Sequence, residues 1–160
     1  METIKTKAYG EIKVAEDSAI NFKREILGFE NYQYYYLIEM GDLPNFYWLQ
    51  SKDESELAFI VVNPRLFKAD YKLEIDDIDK SLLEIEEGND LIDFVIVNIP
   101  EDINKMTMNL LGPIVINVNK RIAIQGISLN NDYGTKVRIF NTEDTALSQD
   151  GQEQAKAAKI

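Results

Sequence analysis

Gly112-Pro113-Ile114-Val115-Ile116-Asn117-Val118-Asn119-Lys120-Arg121-Ile122-Ala123-Ile124-Gln125 is the stretch whose reading decides the fold class. Residues 114–118 form a β-branched run, and such residues favour the pleated, packed surface of a strand. Asn119-Lys120 reads as a two-residue turn. Residues 121–125 then supply the returning strand of a hairpin. Working back, residues 91–99 form another strand that Pro100 stops, and 106–109 can pair beside it. Working forward, Asn130-Asn131-Asp132 is a turn into a strand expected over 133–140.

The N-terminal half has the same texture. Residues 3–7 and 11–14 flank Ala8-Tyr9-Gly10 and suggest an opening hairpin. A short strand is expected over 19–22. Residues 26–30 break the pattern, and Gly28 can supply a positive φ there. Strands over 34–40 and 46–51 are joined by the turn-rich residues 41–45. The continuous apolar run 57–62 ends at Asn63-Pro64, and its length and Val/Ile content favour a buried strand.

One segment changes period. Leu73 and Ile75 alternate as in a strand, after which Ile78, Leu82 and Ile85 fall at helical spacing. A helix is predicted over about 77–87, capped by Asp76 or Asp77 and ended by Gly88. Many short strands with one short helix predict a mostly β, small antiparallel β-barrel-like or sandwich single domain. The domain spans 1–141. Residues 142–160 have little to bury and read as a poorly ordered or helical tail.

Composition limits the chemistry. The chain has 160 residues, enough for one domain with a core. It contains no cysteine, which removes disulfides, thiolate zinc sites and Cys nucleophiles. It contains no histidine, the usual general base near neutral pH and the commonest nitrogen ligand. No phosphate-cradling glycine motif is present. Catalysis is left with carboxylates alone, and a protein that is not an enzyme and takes no cofactor is expected. The N-terminus lacks the pattern of a signal peptide, and no apolar run approaches the roughly 18 residues of a membrane span. A cytoplasmic protein without membrane contact is expected.

The net charge of −11 argues against direct nucleic-acid binding, which needs a basic surface. It suits a basic partner, and equally it suits solubility alone. The charge is concentrated. Between Glu74 and Asp90 lie eight acids against Lys80, a local charge of −7. Three readings compete for this cluster: a solvated helix face with capping acids, a docking face for a basic partner, or an oxygen-ligand site for Mg²⁺ or Ca²⁺ at Asp76, Asp77 or Asp79. The last would make the chain an acidic metal-binding module or a carboxylate-based enzyme. A small-molecule pocket in a β-module is a further reading. Tyr34 and Tyr36 share one strand face and Tyr35 takes the other; some of these aromatics are core, and the rest suit a protein-binding surface.

Several stretches, in order, resemble the flagellar assembly factor FliW family. They are Phe22-x-x-x-Ile26-x-Gly28-Phe29-Glu30; Phe46-Tyr47-Trp48-Leu49-Gln50-Ser51 with the apolar strand ending at Asn63-Pro64; and Tyr71-x-Leu73-x-Ile75. Next come Val95 to Pro100, Thr107 to Asn117, and Arg121-x-Ala123-x-Gln125, with Asn130 and Tyr133 after it. The resemblance runs from about Lys5 to Phe140, nearly without gaps. Gly112 departs from it, since the family commonly has alanine there. The resemblance implies a small β-barrel-like fold, no catalysis, and two protein partners. These are flagellin, bound in the cytoplasm, and the RNA-binding translational repressor CsrA, which the factor antagonises once flagellin is exported. The expected contact residues, from charge and composition, are Asp76, Asp77, Asp79, Glu84, Glu86 and Glu87 for the basic repressor, with Tyr35 and Tyr47 as exposed aromatics for flagellin. Gly28, Trp48, Pro64, Asn109, Pro113 and Asn117 are expected to serve the fold.

Overall fold

A computed structural model describes residues 1–41 and 43–140. The deciding stretch folds as a hairpin. Strand β9 (Ile114–Asn117) pairs antiparallel with β10 (Ile122–Gln125), with Ile116 opposite Ala123. The connection is four residues, 118–121, rather than the expected two. The favoured two-residue turn needs positive φ at both central positions. Of these four residues only Arg121 has it, at 54°, and the Asn117 side chain instead accepts the Lys120 N–H at 3.3 Å.

The earlier strands are β1 (Glu2–Thr6), β2 (Gly10–Val14), β3 (Ile20–Arg24), β4 (Tyr34–Glu39), β5 (Phe46–Ser51), β6 (Ala58–Val62) and β7 (Leu91–Asn98). Strands β3 to β7 run antiparallel, each to the next. Strand β10 pairs with β3 in parallel, and β9 pairs with β7, which closes a seven-strand barrel. Two short strands, β8 (Thr107–Met108) and β11 (Val137–Arg138), extend outward from the end of β7. The β1–β2 hairpin forms a separate sheet. It covers β4 and β5 through the Lys7 N–H donating to Gln50 Oε1 at 2.9 Å and the Tyr36 hydroxyl donating to Glu2 at 3.3 Å.

The barrel is buried on both faces. Its interior is filled by alternate residues, among them Ile20, Phe22, Tyr35, Leu49, Val61, Phe94, Ile114, Ile116 and Ala123. The outer faces of β5, β6 and β7 are covered by a second cluster containing Tyr71, Met106, Met108, Leu110 and Tyr133. Val115 and Ile124, pointing outward, meet Ile75 and Leu83. Two-sided burial explains why the strands read as continuous apolar runs rather than alternating ones. The strand expected over 133–140 shrinks to Val137–Arg138, because the chain there serves as a cover. Tyr133 stacks on Tyr71 at 4.9 Å, and the Gly134 carbonyl accepts from Leu110 and Leu111.

The helix α1 (Asp77–Leu82) sits over β10, shorter than predicted. Asp76 caps it, its Oδ1 accepting the Asp79 N–H at 2.8 Å. The side facing the barrel is not the expected one. Ile78 is 67% exposed and Ile85 is also exposed, whereas Asp79 is 3% exposed and Leu83 is fully buried. Asp79 is tolerated inside because its carboxylate is satisfied twice. It forms an ion pair with Arg24 at the end of β3, and its Oδ2 accepts the Ile127 N–H at 3.2 Å. Helix termination comes before Gly88. Glu84 turns to a φ of 50°, and the fully buried Asn117 donates its side-chain N–H to the Leu83 carbonyl at 3.0 Å. Leu73 and Ile75 form no strand; they pack beneath the helix. The tail expected over 142–160 lies outside the described residues.

Asp79→Asn is expected to lower unfolding stability by about 2 kcal/mol. That is below the 3–5 kcal/mol typical of a fully buried pair, because Arg24 is about one-third exposed and retains some hydration. Asp77→Asn, on the solvent side, should stay within about 0.5 kcal/mol. Urea denaturation of the two variants distinguishes them, and equal effects would contradict the anchoring role of Asp79. The Tyr35 hydroxyl is buried in the barrel with no hydrogen-bond partner among the described residues. Burial, reinforced by nearby Tyr32, pushes its pKa up from 10.0 to about 12. The folded state therefore holds this proton more tightly than the unfolded chain. Its contribution is intact below pH 10 and is lost as pH rises toward 12. Tyr35→Phe should leave stability at pH 7 unchanged or raise it by about 1 kcal/mol, and should blunt the alkaline loss. Denaturation at pH 7 and pH 11 checks both points, and a clear loss at pH 7 would reveal a hydroxyl partner.

Candidate protein-binding surface

The acidic segment forms a real but weakened negative face. Asp76, Asp77, Glu84, Glu86 and Glu87 are exposed around α1 and the turn after it. Asp79 is not among them, since its carboxylate is committed inward to Arg24. Lys23 approaches Glu84 at 3.8 Å, and Lys120 lies 3.1 Å from Glu86 while donating to the Glu84 carbonyl at 2.7 Å. Together with Arg24, these cations bring the local charge of the segment from −7 to −4. The Lys23–Glu84 and Lys120–Glu86 pairs are exposed and contribute little to stability, so these acids remain free to exchange their partners for another protein's charges. The exposure of Ile78 and Ile85 adds apolar side chains among the acids, a mixture typical of protein contact surfaces. Helical spacing of apolar residues does not by itself say that they are buried.

The aromatic expectation is corrected in part. Tyr35 is not exposed: it points into the barrel, edge-on to Phe22 at 5.0 Å and near Phe59 at 6.2 Å. Tyr47 also lies on the inner face, packed against Phe94 at 5.1 Å, and is half-buried. The exposed tyrosine of β4 is Tyr34, with Lys52 above its ring. The residues assigned to the fold sit in structural positions. Gly28 has a φ of 90°, Pro64 opens a 3-10 turn, and the Asn109 side chain accepts the Gly112 N–H at 2.9 Å. Pro113 offers its carbonyl to Gly126 at 2.8 Å, and Trp48 packs against the outer cluster.

A feature not legible in the sequence lies beside α1. Residues 24–30, 109–112 and 125–127 enclose an open groove of about 350 Å³. Leu27, 81% exposed, and Ile127, 64% exposed, flank it. Its shape is held by amides: Leu27 N–H donates to Gln125 Oε1 at 2.8 Å, and Gln125 Nε2 donates to the Gly112 carbonyl at 3.2 Å. A Cβ on Gly112 would stand 2.8 Å from Gln125 Nε2 and 3.0 Å from Asn109 Nδ2. An alanine at this position would thus displace an amide that ties the groove together. Thr135 completes the lining, which thus comes from four separated segments, so no local motif announces it. Among the described residues, no three acids converge on a site that could hold a metal ion, and no helix is long and apolar enough to cross a membrane.

Comparison with known proteins accounts for this architecture. The sequence profile of the family described as FliW protein matches residues 3–139. The flagellar assembly factor FliW of Caldanaerobacter subterraneus subsp. tengcongensis is 42% identical over 147 residues, covering 91% of this chain and 97% of that protein. That of Treponema denticola is 39% identical over 137 residues, covering 86% and 92%. A crystal structure of the flagellar assembly factor FliW superposes with a TM-score of 0.81 at 33% identity, covering 88% of this chain and 98% of that one. These relatives are assembly factors, in accord with a protein that is not an enzyme. By sequence over nearly all the described residues and by fold, the chain belongs to the FliW family of flagellar assembly factors.

Proposed function

We propose that this chain binds flagellin in the cytoplasm and antagonises the translational repressor CsrA, so that flagellin synthesis follows flagellum assembly. The carrying observation is membership of the flagellar assembly factor family. The exposed acids around α1 support the repressor half of the reading, because an RNA-binding protein presents basic surface to them. Asp76, Asp77, Glu84, Glu86 and Glu87 are the contacts, with Ile78 and Ile85 between them. Tyr47 is the aromatic candidate for flagellin. It lines a shallow depression with Asn45, Arg65 and Asp93, and so keeps an accessible edge.

Titration of the full chain with flagellin and with CsrA from the same bacterium should give micromolar or tighter binding to each. Failure of both would overturn the assignment. Charge reversal at Asp77, Glu84, Glu86 and Glu87 should slow association with CsrA about tenfold at low ionic strength, with little effect on dissociation. The difference should shrink in high salt. An unchanged association rate would place the repressor contact on another face.

A further inference from the structure

We propose that the groove between residues 24–30, 109–112 and 125–127 is a docking site for an amphipathic helix of a protein partner, with aliphatic side chains on one face and Lys or Arg beside them. The apolar part is set by Leu27, Leu111 and Ile127. The exposed apolar surface does not stop at the cavity. Ser128 is buried, and Leu129 beyond it is 56% exposed, so Leu129 continues the row from Ile127 past the edge of the pocket. That row lengthens the contact beyond what a small molecule filling about 350 Å³ would use.

Charge selects the partner. Arg24 lines the groove, but its guanidinium is taken by buried Asp79. The charged groups left at the rim are Glu25 and Glu30, neither in an ion pair among the described residues. Backbone N–H groups of Gly28 and of Glu30 itself hold the Glu30 carboxyl below its ordinary range, so it is anionic at neutral pH. The rim therefore favours cationic flanks on whatever enters.

Backbone hydrogen bonding selects the conformation. A peptide added as a strand needs free main-chain groups. The N–H groups of Leu27, Gly126, Ile127 and Ser128 are already used, by Gln125, the Pro113 carbonyl, Asp79 and the Leu111 carbonyl respectively. A helix satisfies its own backbone and needs only side-chain contact, with anchors at i, i+3 or i+4, and i+7. The site requires neither flagellin nor CsrA to be the owner of that helix.

Panning a random 16-residue peptide library on the immobilised full chain tests this. Enriched sequences should carry aliphatic residues at helical spacing flanked by Lys or Arg. Their affinity, read by fluorescence anisotropy, should fall about tenfold or more with Leu27→Asp and with Ile127→Asp. Both side chains are exposed, so the fold should survive, and circular dichroism and urea midpoints confirm it. Glu25→Lys with Glu30→Lys should weaken binding several-fold, less so in high salt. The proposal is overturned by no enrichment over an unrelated acidic protein, by acidic or extended consensus sequences, or by unchanged affinity in both aspartate variants.

Discussion

Strand β7 pairs with β6, β8 and β9, and through β9 it closes the barrel. Closure removes the exposed edges that a seven-strand sheet would otherwise carry. It also fixes which faces are open to a partner. The interior is packed around Phe22, Tyr35, Leu49 and Val61, all fully buried. The acidic face and the groove both lie in the layer wrapped around the barrel, built from α1, the turns at 24–30 and 109–112, and the segment 126–129, whereas the depression beside Tyr47 opens at the barrel's own end.

Within that layer, Asp79 does the joining. One carboxylate holds α1, the end of β3 and the start of the 126–129 segment together. The acidic face lies on the solvent side of α1, and the groove lies beyond Arg24. The two surfaces therefore share a wall. A ligand that moves Arg24 also acts on the anchor of the helix, which gives the two surfaces a short physical connection.

Most strands were legible because β-branched and aromatic runs separated by Gly, Pro and Asn leave little choice of element. Residues 46–51 match β5, and 91–99 match β7 to within one residue. The helix was placed correctly but turned the wrong way. Periodicity assigns Ile78 inward on hydropathy alone; it cannot foresee that Arg24, 55 positions away, makes Asp79 the better inward residue. Tyr35 failed for a related reason. Alternation puts it opposite Tyr34 and Tyr36, but only barrel closure says which face is inside. The acids of 74–90 could be counted in sequence, yet the neutralising Lys23, Arg24 and Lys120 arrive from β3 and the β9–β10 turn. The groove needs four distant segments and gave no signal at all.

The claim that the α1 face is the repressor contact is tested most directly by hydrogen exchange on the full chain with and without saturating CsrA. Slower exchange is expected for amides in 76–90 and in the 118–121 turn that supplies Lys120, with the barrel strands unchanged. Protection confined to other segments, with 76–90 exchanging as in the free protein, would contradict it.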